Sequence, residues 1–201
     1  GAGKTTLFNI ISGLIRSDGG CIFFSGKDIT GNVPEENAII GIARTFQVTK
    51  PFLSMTVVEN VMIGALKGTS KVQNSRRKAV EILNFLGLEK IKDRFPGNLT
   101  VEDRKRLELA RALALEPSLL LLDEVMAGLN ASEVEGVKKI LRDLRNAGIT
   151  ILLIEHVLHA VLSLSDEVVV LNYGEKIFEG GPKEVVKDRR VIEAYLGEDF
   201  V

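Results

Sequence analysis

The chain has 201 residues, 45% hydrophobic and 26% charged, which is enough apolar material for a buried core and too much for a disordered segment. No stretch approaches the ~18 consecutive apolar residues of a membrane span, so a membrane-spanning role is excluded for these residues. Lys+Arg 26 against Asp+Glu 27 leaves a net charge of -1, and without a basic excess to neutralise a phosphate backbone, nucleic acid is not the expected partner.

In chain order, the first segment reads as a glycine-rich loop running into a helix that begins near Thr5 and carries Leu7, Ile10, Ile11 and Leu14. Residues 20–25 form an apolar run closed by Gly26 and read as a strand; the single cysteine, Cys21, is expected there as a buried, inert thiol beside Ile22, Phe23 and Phe24. From about Met55 to Leu115 the patterns are helical, with Ala79, Ile82, Leu83 and Leu86 on one face and Gly87 as a stop; residues 68–75 are polar and read as a loop. Residues 119–122 and 149–154 are continuous apolar runs, the signature of strands covered on both faces in a parallel sheet. Between them Val134, Val137, Ile140, Leu141 and Leu144 repeat at helical spacing. Ser132 and Glu135 stand in capping-box positions and Gly148 lies just past the end. Residues 168–171 give another strand, and Asn172, Tyr173 and Gly174 turn it into a hairpin with residues 176–180. The expected fold is therefore α/β, a mostly parallel core sheet with an inserted α-helical subdomain and a C-terminal antiparallel hairpin. Residues 1–47 and 116–201 would form the α/β core and residues 48–115 the helical subdomain. No signal peptide is visible, and the chain opens on Gly1 with no strand ahead of its first motif, the pattern of a fragment cut on its N-terminal side and lacking its first strands.

Gly1, Ala2, Gly3, Lys4, Thr5 and Thr6 carry the first chemistry. Glycines let backbone N–H groups approach phosphate oxygens, a helix N-terminus adds a favourable dipole, Lys4 adds charge, and the Thr5 hydroxyl can ligate Mg2+. Asp123 and Glu124 end the apolar run 119–122: a carboxylate there can hold Mg2+ and its neighbour can polarise an attacking water, although two acids opening a loop are also ordinary surface residues. His156 follows residues 149–154 at the end of another strand; ligands of open parallel sheets bind at the carboxyl ends of strands, so His156, Asp123 and the phosphate loop could converge. Gln47 has an amide able to touch both metal and water.

Together and in this order these features resemble the nucleotide-binding subunit of an ABC transporter over essentially the whole chain. The resemblance implies that Gly1 to Thr6 are Walker A, Gln47 the Q-loop, Asp123 and Glu124 the end of Walker B, Ala127, Gly128, Leu129 and Asn130 the D-loop, and His156 the switch histidine. Leu99, Thr100, Val101, Glu102 and Asp103 occupy the place of the signature motif. The phrases Ala43-Arg44-Thr45-Phe46-Gln47, Met55-Thr56-Val57-Val58-Glu59-Asn60, Leu153-Ile154-Glu155-His156 and Ala194-Tyr195-Leu196-Gly197-Glu198 resemble the branched-chain amino-acid importer branch. That branch implies ATP and Mg2+ as cofactors, a second ATP-binding subunit (a copy or a paralogue), transmembrane permease subunits, a substrate-binding protein acting indirectly, and a peripheral place on the cytoplasmic face of the plasma membrane. Residues 48–55 would dock the membrane partner.

The signature segment departs most from the family pattern. Val101 and Glu102 replace two glycines and Asp103 a glutamine, and two acids oppose the positive field of a helix N-terminus; Thr100 and Asp103 also resemble a simple capping pair. Val125 replaces a common proline. Other readings remain: a subunit that binds ATP with little or no turnover, an importer for urea, amides or other amino acids, or a soluble ATPase of the chromosome-structure kind, which would need heptads this chain lacks.

Overall fold

The computed structural model describes residues 1–46, 50–68, 71–156 and 158–196. Helix α1 (Lys4–Ile11) comes first, followed by the hairpin β1 (Phe23–Phe24) and β2 (Lys27–Asp28), helix α2 (Pro34–Ile39) and strand β3 (Ile42–Arg44). Helices α3 (Val57–Ala65), α4 (Val72–Phe85) and α5 (Val101–Leu113) fill the middle. Strand β4 (Leu119–Asp123), helix α6 (Ala131–Asn146), strand β5 (Thr150–Ile154) and helix α7 (Leu158–Leu164) follow. The hairpin β6 (Val168–Asn172) and β7 (Glu175–Gly180) and the short helices α8 (Pro182–Val185) and α9 (Arg189–Leu196) close the described chain.

The central sheet has the order β3-β4-β5, all parallel, with Ala43 opposite Leu120 and Leu121 opposite Leu152. Successive side chains of a strand point to opposite faces, and β4 shows why its sequence does not alternate. Leu120 and Leu122 enter a core shared with α3, α5 and α6, among them Val58, Leu107 and Leu141. Leu121 enters a second core with Phe8, Ile29, Ile42 and Ile154. Both faces are covered, so β4 can afford no polar position before Asp123. β6 and β7 pair antiparallel as a separate two-stranded sheet, matching the expected hairpin.

Several expectations are corrected. Residues 20–25 do not form a core strand: Ser25 and Gly26 both have positive φ, a turn that folds Phe23–Phe24 straight back onto Lys27–Asp28 as a tight hairpin, and this leaves Cys21 exposed rather than buried. The α6 capping box is Asn130 with Glu133, two residues earlier than Ser132 with Glu135; Asn130 accepts from Glu133 N–H at 3.0 Å and Glu133 accepts from Asn130 N–H at 2.8 Å. Helix α4 begins at Val72, inside the expected loop, where Ser75 is buried and donates its hydroxyl to Val72 O. On β5, Thr150 and Leu152 are exposed, because this strand is an edge of the described sheet and lacks the second covering layer.

Candidate functional site

The N-terminus of α1 is built by Gly3, whose φ of +93° is a conformation that a side chain would strain. Leu7 N–H to Gly3 O is the first intrahelical hydrogen bond, so the N–H groups of Lys4, Thr5 and Thr6 have no partner inside the helix, and no acidic side chain occupies the first turn. Such an end attracts anions. The turn of the β6–β7 hairpin closes on this loop: Gly174 N–H donates to Ala2 O at 3.2 Å, and a Cβ on Gly3 would lie 3.6 Å from Gly174 Cα. Gly1 sits at the open side of the loop, exposed.

Asp123 ends β4 and is 1% exposed. Its Oδ2 accepts from Arg44 Nη2 at 3.1 Å, while its Oδ1 is buried with no hydrogen-bond partner among the described residues. Thr5 and Asp123 line one cleft of about 410 Å3 together with Arg44, Phe46, Lys50, Glu108 and Arg111. A free carboxylate oxygen and a hydroxyl at one cleft suit a hard cation that prefers oxygen ligands. Among the described residues no three acidic, histidine or cysteine side chains cluster for a metal, and Mg2+ commonly takes only one or two carboxylates, with water and phosphate among its other ligands. Gln47, the other expected metal ligand, lies outside the described residues.

Glu124 follows in a left-handed conformation, φ +52°, pinned by its N–H to Ile154 O at 2.9 Å. Its Oε1 is 2.6 Å from Nε2 of His156; against an ionised carboxylate the imidazole is the donor. The strained backbone thus turns the Glu124 carboxylate toward the end of β5, where His156 begins the next connection. Two further charges fix this corner. Lys105 on α5 donates to Glu124 O at 2.8 Å, and Glu155 Oε1 accepts from Met126 N–H at 2.7 Å. Burial pushes the Glu155 carboxyl above its ordinary range against the opposing pull of the Met126 and His156 N–H groups and Lys105; burial also lowers the Lys105 ammonium, against the attraction of Glu155 and Glu124. A carboxylate held this way beside an imidazole can accept a proton from water.

Ala127 to Asn130, the expected D-loop, make a compact turn. Ala127 N–H donates to Glu124 O, Leu129 N–H donates to Met126 O, Gly128 takes φ +76°, and Asn130 caps α6. In the signature positions Leu99 is buried, Thr100 is the N-cap of α5 and accepts from Asp103 N–H at 3.1 Å, and Val101 is exposed. Glu102 pairs with Arg106 one turn along, which draws its charge back over the helix. None of these five residues lines the Thr5–Asp123 cleft. Thr5, Asp123, Glu124 and His156 are therefore brought to one end of the sheet, while residues 99–103 stand apart from it.

Arg44, Lys105 and Glu155 shape the site without belonging to any residue the motifs single out for it. For Arg44 a signal existed: a cation in an otherwise apolar strand segment needs a buried partner.

Residues 1–127 match the ABC transporter family, and residues 175–201 match the branched-chain amino acid ATP-binding cassette transporter family. The high-affinity branched-chain amino acid transport ATP-binding protein LivG of Escherichia coli (strain K12) is 36% identical over 214 residues, 98% of this chain and 84% of that protein. A nucleotide-free ATP-binding cassette from an ABC transporter superposes with a TM-score of 0.87 at 36% identity, covering 98% of this chain and 85% of that one. The dimeric cassette MJ0796, in a post-hydrolysis state bound to ADP and Pi, gives a TM-score of 0.80 at 25% identity, covering 90% and 81%.

Proposed function

The chain belongs to the ABC transporter family of ATP-binding cassettes, and from that membership we propose that it is the ATP-hydrolysing subunit of an importer of branched-chain amino acids. It works with a second cassette, a copy or a paralogue, beneath transmembrane permease subunits that receive the solute from a substrate-binding protein. Its place is peripheral, on the cytoplasmic face of the plasma membrane; among the described residues no helix is long and apolar enough to cross a membrane. Residues 1–47 and 116–201 serve as the nucleotide-binding core and residues 48–115 as the helical arm. The observation that carries the reading is the corner where Asp123, with its free Oδ1, shares a cleft with Thr5 and passes directly into the Glu124–His156 pair.

Lys4 and the N–H groups of residues 1–6 cradle the β- and γ-phosphates. Thr5, Gln47 and Asp123 are the residues that would hold Mg2+, which when bound neutralises charge developing on the phosphates. Glu124 accepts a proton from the attacking water through its carboxylate. His156, whose Nε2 stands 2.6 Å from that carboxylate before nucleotide binds, turns its N–H to the γ-phosphate when ATP is present. Ala127 to Asn130 face the second cassette as the D-loop. Residues 99–103 of one cassette meet the nucleotide of the other, with Thr100 and backbone N–H groups making the contact; withdrawal of the Glu102 charge toward Arg106 lessens its opposition to that nucleotide.

Mg2+-dependent phosphate release from ATP tests the reading, with wild type beside Glu124→Gln across protein concentrations. Activity that rises more than linearly with protein and vanishes in the variant is expected. Nucleotide binding without turnover in either protein would overturn it in favour of a subunit that binds ATP only.

A further inference from the structure

Arg44 ends β3 with its side chain 7% exposed against an Asp123 side chain 1% exposed, and a buried charge needs a partner. Its guanidinium does more than neutralise one acid. Nη2 reaches Asp123 Oδ2 at 3.1 Å, while Nη1 reaches Asn9 Oδ1 at 2.6 Å and Ser12 Oγ at 3.1 Å. Asn9 lies four residues after Thr5 on α1, and residues so spaced are neighbours on one helix face. One rigid fork therefore spans from the strand that ends in Asp123 to the helix that begins with Thr5. The rings of Phe8 and Phe46, 5.6 and 5.4 Å from the guanidinium carbon, confine it further.

We propose that Arg44 is a positioning residue for the divalent cation of this site: by bridging Asn9 and Asp123 it sets the spacing between the Thr5 hydroxyl and the Asp123 carboxylate, and by occupying Oδ2 it leaves Oδ1 as the single oxygen offered to the cation. The proposal rests on the nucleotide-hydrolysing reading above. A lysine would carry the same charge but not the planar fork, so it cannot hold both sides in the same geometry. A purely structural ion pair predicts something different: loss of stability and of nucleotide binding alike, with no preference for the metal-dependent part.

The test measures Mn2+ bound in the presence of a non-hydrolysable ATP analogue, by electron paramagnetic resonance, beside binding of the same analogue in EDTA. Wild type, Arg44→Lys, Arg44→Met and Asn9→Ala are compared, each checked by thermal melting. Arg44→Lys is expected to weaken Mn2+ binding about tenfold or more, the usual cost of losing a group that orients a metal ligand, with metal-free nucleotide affinity within about twofold. Asn9→Ala, which leaves the Arg44–Asp123 pair in place, should show a smaller loss of the same kind, and it carries the test where the arginine variants do not fold. Unchanged Mn2+ affinity in the folded variants would overturn the proposal, as would equal losses with and without metal. If wild type itself takes up no Mn2+ with nucleotide, the hydrolytic reading fails, a result distinct from either.

Discussion

Replacing Lys105 with methionine keeps the aliphatic stem and removes the ammonium that donates to Glu124 O at 2.8 Å. Glu124 needs that restraint, because its φ of +52° is a conformation costing about 1 kcal/mol or more in a residue that is not glycine. A hydrogen bond from a charged group contributes about 1.5–3 kcal/mol, and since Lys105 is only half-buried the lower end applies. If that restraint is spent on orienting the carboxylate, about 1.5 kcal/mol corresponds to roughly a tenfold loss in rate. Steady-state phosphate release should therefore show kcat down about tenfold, with ATP affinity close to wild type and a melting temperature lower by roughly 3–6 °C. Lys105→Arg, which retains a donor of similar reach, should recover most of the loss. A Lys105→Met protein with wild-type kcat would refute the reasoning, as would equal losses in kcat and in ATP affinity.

Asp123→Asn leaves the Arg44 cation buried without its counter-charge and should cost about 3 kcal/mol of stability, read as a drop in melting temperature of roughly 10 °C. Glu155→Gln keeps an oxygen for the Met126 N–H but removes a carboxyl whose protonation burial favours. The folded state holds that proton more tightly than the unfolded chain does, so wild-type stability falls as pH rises through the raised value. The glutamine variant should lose that fall, and denaturant titrations at several pH values above the ordinary carboxylate range would show it; parallel profiles would count against the assignment. Phe52, half-exposed and stacked 4.8 Å from the Arg111 guanidinium carbon, belongs to the segment 48–55 proposed to dock the membrane partner, of which Val48 and Thr49 lie outside the described residues. Phe52→Asp should abolish transport in reconstituted vesicles while basal hydrolysis stays within about twofold, since it removes apolar contact area at a partner surface; loss of both together would speak against that surface.

Strand β4 was legible because residues 119–122 are apolar without alternation and are buried on both faces, whereas the run 149–154 located β5 although that strand exposes Thr150 and Leu152. The same rule overreached at residues 20–25, where the positive φ of Ser25 could not be read from the apolar run and a tight hairpin displaced the expected strand. Caps shifted for a related reason: Asn130 and Ser132 are both good N-caps, and the compact turn running from Glu124 to Leu129 selects Asn130. At the site, Thr5, Asp123, Glu124 and His156 announced themselves through position at the ends of elements. Lys105 did not, and Arg44 showed only as a cation in an apolar segment with its partner unnamed, because their partners lie 19 and 79 residues away and are fixed by tertiary packing rather than local spacing.

The hydrogen bond from Gly174 to Ala2 has a consequence in time as well as in space. Gly174 follows Ala2 at a great distance along the chain, so the glycine-rich loop acquires this brace only after the β6–β7 hairpin has been made and docked. Contacts between such distant residues bear a late entropic cost and belong to slow stages of folding. The glycine-rich loop is therefore among the last segments to be finished. A nucleotide that needs the finished loop is expected to slow unfolding and to leave the folding rate nearly unchanged.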